Sequence, residues 1–323
     1  MKLIPRGRTA KLVFLGLMVM AIATVGSYFA YYRLTHRPIT FLPPVQAVTK
    51  RVPPRYVTSI YGVQAPLGVA AAGSRIYVAE SKGDAIVRIF DTSGNEIGTL
   101  ETPNVSSLDR RPCYVAVDSG GQVYVSDCRR LTVDMFSPQG QYVGALLPNG
   151  DVGYVWQPLA LAFGPQGLLY VTDRTPGKHR LLALDPKQGW KVVLEVGKEG
   201  EGEAEFEYPN GVALAGDRIY VADSVTNRLQ VFDKQGQYLA EMVGFSLPRG
   251  LLVDGMDRLH IVETTGQQVT VYEAKPDGKR LFSFGDEGTE GGQFLFPNAI
   301  AADSQGRLYI TDRVNNRVQV WAY

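Results

Sequence analysis

The chain has 323 residues, 45% of them hydrophobic, which is enough for one large domain or two ordinary ones with packed cores. Its net charge of +1 hides an uneven distribution, because residues 1–55 contain nine Lys or Arg and no Asp or Glu. The remainder carries 24 basic and 32 acidic residues. That balance excludes general binding of polyanions such as nucleic acids unless a local basic patch exists.

Residues 12–32 are an uncharged, apolar stretch of 21 residues, long enough for an α-helix to cross a bilayer. We predict a signal anchor with a cytoplasmic tail at 1–11, a transmembrane helix at 12–32 and the rest of the chain in the periplasm or outside the cell. A cleaved signal peptide is the alternative, because residues 21–23 resemble a cleavage site. The apolar stretch continues past that site, which favours the anchor.

Residues 33–55 contain five prolines and no acidic residue. Proline-rich segments are extended and semi-rigid. We therefore predict a stiff linker at 33–55 that separates the membrane from a domain at 56–323.

Six related segments follow, each opened by a proline (Pro66, Pro112, Pro158, Pro209, Pro248 and Pro297). Each proline precedes an apolar strand, a turn, a second apolar strand and an acidic residue, and a third strand follows. Apolar residues alternate with a period of two, which excludes helical repeats. A fourth strand follows in most segments. Four short antiparallel strands in each repeat are typical of a propeller blade, so we predict an all-β, six-bladed β-propeller.

The sixth blade has three strands, because the sequence ends at Tyr323. An additional strand, residues 56–62, precedes the first blade and belongs to no hairpin there. We predict that 56–62 pairs with 317–323 and closes the ring, because closure removes the exposed strand edge.

The segment YPNGVALAGDRIYVADSVTNRLQVFDKQGQYL at 208–239 resembles an NHL repeat, and so does FGDEGTEGGQFLFPNAIAADSQGRLYITDRVNNRVQVW at 284–321. The resemblance is weaker in blades two and three, and it covers residues 56–323 as a whole. It implies a six-bladed propeller of the NHL type. The Trp-Asp signature of WD repeats and the glycine pair of kelch repeats are missing.

The second strand of every blade ends in an acidic residue (Glu80, Asp127, Asp173, Asp223, Glu263 and Asp312). A catalytic or metal centre requires asymmetry, whereas a residue type repeated in every blade serves the blade itself. We expect these carboxylates to accept backbone N–H groups of the following turn.

Cys113 and Cys128 are the only cysteines. The turn at 118–121 centres a hairpin in which residues whose numbers sum to about 241 face each other, as these two do. Directly opposed residues are close enough for a disulfide, which we predict and which fits an oxidising compartment. Two free thiols are the alternative. A zinc site would need further ligands.

The chain has three histidines, and His260 replaces the tyrosine that the other blades carry, so we expect a half-buried packing role. Six-bladed amidoglycolate lyases use several histidines around a metal, and this chain has too few.

The residues after the blade-opening prolines should approach the central axis, and they include no carboxylate for calcium (Leu67, Cys113, Leu159, Asn210, Arg249 and Asn298). We therefore assign no catalytic residue, metal ligand or cofactor.

We expect basic residues of the loops between second and third strands to gather on the face that carries these positions. The predicted partner-binding face comprises Arg110, Arg111, Arg129, Arg130, Arg174, Asn210, Arg249, Asn298 and Arg313. Ordinary loop charge, partly neutralised by the repeated carboxylates, is the alternative. Arginine forms forked hydrogen bonds with carboxylates, so we expect carboxylate-bearing, membrane-associated proteins or peptides as partners rather than nucleic acid.

The sequence therefore favours a membrane-anchored, extracytoplasmic protein-interaction scaffold without catalysis of its own. The alternative is a metal-dependent hydrolase or lyase of the six-bladed class, with its site at the central channel.

Overall fold

The computed structural model describes residues 51–323, which form a compact unit. The predicted cytoplasmic tail, transmembrane helix and most of the linker lie outside the described residues. Within 51–323 no helix has the length and apolar character needed to cross a membrane. Strand β1 begins at Arg55, one residue before the predicted start of the domain, and Pro54 is buried.

Six four-stranded antiparallel sheets form the six predicted blades. The first strand of the domain is β1 (Arg55–Ile60). Blade one contains β2 (Pro66–Ala72), β3 (Arg75–Glu80), β4 (Val87–Asp91) and β5 (Glu96–Leu100). Blade two contains β6 (Pro112–Val117), β7 (Val123–Asp127), β8 (Thr132–Phe136) and β9 (Tyr142–Ala145). Blade three contains β10 (Pro158–Phe163), β11 (Leu169–Asp173), β12 (Arg180–Asp185) and β13 (Lys191–Val196).

Blades four to six repeat this arrangement after a short parallel pair, β14 (Lys198–Glu199) and β15 (Glu205–Phe206). Blade four contains β16 (Pro209–Ala215), β17 (Arg218–Asp223), β18 (Arg228–Asp233) and β19 (Tyr238–Val243). Blade five contains β20 (Pro248–Val253), β21 (Arg258–Glu263), β22 (Gln268–Glu273) and β23 (Arg280–Phe284). A second parallel pair follows, β24 (Asp286–Glu287) and β25 (Gln293–Phe294). Blade six contains β26 (Pro297–Ala302), β27 (Leu308–Asp312), β28 (Arg317–Ala322) and β1. Two 3₁₀ turns occur at Pro148–Gly150 and Pro186–Gln188.

The predicted ring closure is confirmed. Strand β1 pairs antiparallel with β28, and the register places Tyr56 opposite Trp321 and Ile60 opposite Val318. The rings of Tyr56 and Trp321 also meet edge to face, with centroids 6.0 Å apart. Blade six therefore has its fourth strand, and pairing of the two ends leaves no gap in the ring.

The first strands of neighbouring blades contact one another around the ring, and those of blades six and one complete the circle. This inner packing is tight. A Cβ atom added at Gly211 would lie 1.8 Å from the carbonyl oxygen of Arg249, and one at Gly68 would lie 2.5 Å from that of Cys113. Glycine is required at these two positions because the adjacent backbone occupies the space of a side chain.

The six repeated carboxylates are buried and structural, as predicted. The predicted bonds to the following turn occur in two blades, where Asp127 accepts from the backbone N–H of Arg129 and Asp173 from that of Thr175. The partner that all six share is a different one. Each accepts a backbone N–H from the segment before its own blade-opening proline, as Asp312 does from Leu295 at 2.8 Å. The other five make the same bond, to Gln64, Arg111, Gln157, Tyr208 and Ser246. In four blades an arginine that begins or lies in the third strand also pairs with the carboxylate (Arg88, Arg180, Arg228 and Arg317).

The disulfide between Cys113 and Cys128 is present, with Cα atoms 6.0 Å apart, but the predicted register is wrong. Pro112 pairs with Asp127 and Tyr114 pairs with Ser126, so the strand bulges at Cys113. Cys128 lies just after the end of β7. The two cysteines therefore meet through a bulge and not as directly opposed residues.

His260 is completely buried, and not half-buried as we expected. Its Nε2 lies 2.9 Å from Oδ2 of Asp254, and its ring meets that of Tyr323 edge to face. Burial lowers the pKa of His260 below its usual value. The imidazole is therefore neutral and donates a hydrogen bond to a carboxylate, as Tyr309 does to Asp303 in blade six.

Candidate functional site

A cavity of about 240 Å³ is lined by residues of all six blades, which places it on the axis of the ring. We call it the mouth pocket. It is lined by Leu67, Arg111, Cys113, Tyr114, Cys128, Leu159, Arg174, Tyr208, Asn210, Arg249, Asn298 and Arg313.

Repeated positions of the blade supply most of this lining. The residue after the blade-opening proline lines the pocket in every blade, from Leu67 in blade one to Asn298 in blade six. The residue after the repeated carboxylate contributes Cys128, Arg174 and Arg313. The chemical character of the pocket thus depends on a few positions that vary between otherwise similar blades.

The deep end of the pocket is polar and internally hydrogen-bonded. The Tyr114 hydroxyl donates to Oδ1 of Asn210 at 2.8 Å, and Nδ2 of Asn298 donates to the carbonyl oxygen of Leu67 at 2.8 Å. Burial raises the pKa of Tyr114 to about 12, so its hydroxyl stays protonated at neutral pH. These buried side chains join blades one, two, four and six and form a rigid floor.

Four arginines surround this floor. Arg249 donates from Nη1 to Oδ1 of Asn298 at 2.9 Å. Arg174 donates to the Tyr208 hydroxyl and lies over its ring, 5.2 Å from the centroid. Arg111 is exposed, and Arg313 is half-buried. Burial, and then the positive charges of Arg249 and Arg111, lower the pKa of Arg313.

No carboxylate balances these four charges. Among the described residues, none of the four arginines forms an ion pair, and the lining contains no Asp or Glu. Asp312, next to Arg313 in the chain, bonds instead to the N–H of Leu295 and to Arg317 at 2.8 Å. The repeated carboxylates are buried and bonded within the structure, and none of them lines the pocket.

Three residues of the predicted face lie elsewhere. Arg110 is buried and donates to Glu101 at 2.6 Å and to the carbonyl oxygen of Asp84. Arg130 pairs with Asp134. Arg129 is exposed and is not part of the lining. The structure thus brings together Arg111, Arg174, Asn210, Arg249, Asn298 and Arg313.

Sequence reasoning missed Tyr114 and Tyr208. Tyr114 is the second residue after its proline, a position that holds Gly or Ala in the other five blades. The sequence shows this exception, because a large side chain stands at a position where the other blades have a small one. Tyr208 directly precedes Pro209, at the position that Arg111 occupies in blade two.

The lining does not suit a divalent cation. Calcium prefers several oxygen ligands including carboxylates, and zinc prefers thiolate and imidazole ligands. Both sulfur atoms of the pocket belong to the disulfide, and the arginines repel cations. In residues 51–323, no group of three or more His, Cys, Asp or Glu is placed to hold a metal ion.

A larger groove of about 590 Å³ lies along the outer strand of blade three. Its arginine, Arg180, is paired with Asp173 at 2.8 Å and with Glu195 at 2.7 Å. This groove therefore has no uncompensated arginine, and the mouth pocket is the better candidate for a binding site.

The NHL repeat model matches residues 206–232 and 294–321, in blades four and six. NHL repeat-containing protein 3 of Homo sapiens is 33% identical over 205 residues, which cover 58% of this chain and 56% of that protein. Protein brain tumor of Drosophila melanogaster is 29% identical over 138 residues, 41% of this chain and 13% of that protein. The chain thus spans about half the length, or less, of these relatives.

Solved structures share the fold at lower identity. A virginiamycin B lyase from Staphylococcus aureus is 17% identical, with a TM-score of 0.55 over 84% of this chain and 88% of the lyase. A gluconolactonase from Xanthomonas campestris is 18% identical, with a TM-score of 0.62 over 84% of this chain and 95% of that chain. Such identities indicate the fold alone. The chain is therefore a six-bladed β-propeller that carries NHL repeats.

Proposed function

We propose that this protein is a non-catalytic interaction scaffold that binds an acidic protein partner at the mouth pocket. The observation that carries this proposal is the set of four arginines on the axis of the ring with no carboxylate among them. Guanidinium groups form forked, charge-assisted hydrogen bonds with carboxylates. A rigid ring that presents such groups is suited to recognition.

We further propose that the propeller lies outside the cytoplasm and is held at a membrane by residues 12–32. The disulfide supports this location, because disulfides persist in oxidising compartments. An anchor and a stiff linker would confine the propeller near the membrane and raise its effective concentration toward membrane-bound partners.

A metal-dependent hydrolase or lyase is less well supported, although a lyase and a lactonase share the fold. Their low identity carries no activity to this chain. The lining of the mouth pocket offers four cations where such an enzyme would need metal ligands.

Affinity capture from detergent-solubilised membranes tests the proposal. The full-length chain should retain a partner, and Arg111→Glu should lose it, because the substitution places a negative charge at the rim. Arg111 is exposed, so its side chain is dispensable for folding. Arg280→Glu, at the exposed first residue of the outer strand of blade five, is the matched control and should retain the partner.

Salt should release the captured protein if the contact is electrostatic. Recovery of the chain as a free monomer from every sample, or equal capture by Arg111→Glu, would contradict the proposed function.

A further inference from the structure

We infer that the mouth pocket binds the carboxyl-terminal residue of its partner, and that this residue is a glutamate or an aspartate. The inference rests on the proposed function, and it adds which part of the partner enters the pocket. Charge, unpaired donors and size carry it.

The charge of the pocket calls for more than one carboxylate. Arg111, Arg174, Arg249 and Arg313 line one cavity, and no lining residue is acidic. An internal acidic residue of a partner supplies one carboxylate. A terminal Glu or Asp supplies two on a single residue, and each accepts a forked pair of N–H bonds.

Two arginines of the pocket each have a donor without a partner, as do three arginines elsewhere in the described residues (Arg180, Arg228 and Arg258). The Nε–H groups of Arg174 and Arg249 are buried and make no hydrogen bond in the structure. Both side chains line the pocket. Nη1 of Arg174 donates to Tyr208, and Nη1 of Arg249 donates to Asn298. A buried, charged donor without an acceptor is costly. These two groups therefore leave positive charge without an internal acceptor beside the pocket.

The size of the pocket limits what enters. Its volume of about 240 Å³ lies below the range of about 300–1,000 Å³ typical of sites for drug-sized ligands. A single residue fits such a space. The floor of Tyr114, Asn210 and Asn298 is closed by its own hydrogen bonds, so a partner chain cannot continue through the ring.

Fluorescence anisotropy with the full-length chain in mild detergent tests this inference. The probe is a fluorescein-labelled peptide of four serines followed by a carboxyl-terminal glutamate with a free carboxylate. Two comparison peptides carry either a terminal amide or a terminal glutamine. Free glutarate serves as a competitor, to distinguish a peptide terminus from a small dicarboxylic acid.

We expect the free-acid glutamate peptide to bind at least about tenfold more tightly than either comparison peptide, because each lacks one charged acceptor. Arg313→Gln should weaken binding by about tenfold, because it removes one charge-assisted donor. Arg129→Gln is the matched control, since Arg129 is exposed and lies outside the lining. It should leave the affinity unchanged.

Equal binding of the amide peptide, unchanged affinity in Arg313→Gln, or competition by glutarate at the same concentration as the peptide would each overturn the inference. The two proposals fail separately. A membrane partner that is lost in Arg111→Glu, together with no peptide binding, would leave the proposed function standing and remove the terminal-residue inference. Peptide binding without any captured partner would support the specificity of the pocket and remove the proposed function.

Discussion

Two sets of arginines occupy this propeller, and they differ in what faces them. Arg88, Arg180, Arg228 and Arg317 belong to the blades, and each pairs with the repeated carboxylate of its own blade. Those of the mouth pocket, Arg111, Arg174, Arg249 and Arg313, form no ion pair among the residues described. The same residue type thus supports the fold in one place and is available to a ligand in the other.

The comparison is closest in blade six, where Arg317 and Arg313 lie four positions apart. Arg317 is buried beside Asp312, which is completely buried, and also donates to two backbone carbonyl oxygens. Arg313 forms no ion pair among the described residues, and burial and the positive charges of Arg249 and Arg111 lower its pKa. Charge alone does not identify a binding residue, and the absence of an internal partner is the informative property.

Removal of Arg317 is expected to have the largest effect on stability. Arg317→Met leaves Asp312 buried without its cationic partner, and breaking such a pair costs about 3–5 kcal/mol. Urea denaturation followed by tryptophan fluorescence measures the loss in the free energy of unfolding.

Arg313→Met is the matched control, with an expected change of at most about 0.5 kcal/mol. Relief of repulsion from Arg249 and Arg111 would make that change stabilising. Equal destabilisation by the two variants would erase the distinction between the two sets of arginines.

Loss of the disulfide should have the next largest effect. Cys113 and Cys128 line the pocket and are separated by 15 positions. A cross-link across a loop of this length contributes about 3 kcal/mol by restricting the unfolded chain. Cys113→Ser with Cys128→Ser should lower the urea midpoint accordingly, and a reducing agent should then have no further effect. An unchanged urea midpoint in the double variant would show that the disulfide does not contribute to the stability of the folded propeller.

His260 differs from both sets of arginines, because it is a buried, neutral side chain that is hydrogen-bonded to a carboxylate, Asp254. Its native pKa lies below the usual 6.5, so below that pH the unfolded chain binds a proton that the native chain does not. This contribution to stability is complete above pH 6.5 and is lost as the pH falls, by up to about 1.4 kcal/mol per unit. The pKa of nearby Asp254 lies well below its usual value and burial raises that of Tyr323, so neither group changes its charge between pH 5 and 7.

His260→Gln provides the measurement. Glutamine retains an N–H for Asp254 and does not titrate, so its urea midpoint should lose this pH dependence between pH 7 and 5. A wild-type midpoint that stays constant over the same interval would contradict the neutral, buried imidazole.

The regular features of the fold were predictable because they repeat. Six prolines at similar spacing gave the number of blades, and the unpaired strands at 56–62 and 317–323 gave the closure. The pairing of Cys113 with Cys128 was also predictable. The register around them was not, because a bulge inserts a residue without changing the hydrophobic pattern.

The candidate site was only partly predictable. Arg110 and Arg111 are adjacent in the chain, yet Arg110 is buried against Glu101 while Arg111 faces the pocket. The sequence gives no sign of that difference, because the partner of Arg110 comes from the loop between two blades. The hydrogen bonds of Tyr114 to Asn210 and of Arg249 to Asn298 likewise join separate blades.

The sequence by itself determined the blade, its repetition and the meeting of its two ends, since alternating apolar residues and turns act over a few neighbours. Only the tertiary structure decided which arginines are neutralised and which remain free. Bringing six blades around one axis places residues far apart in the chain within hydrogen-bonding distance. The repeated carboxylates are buried and bonded within the structure, while the varied positions between them share a single pocket.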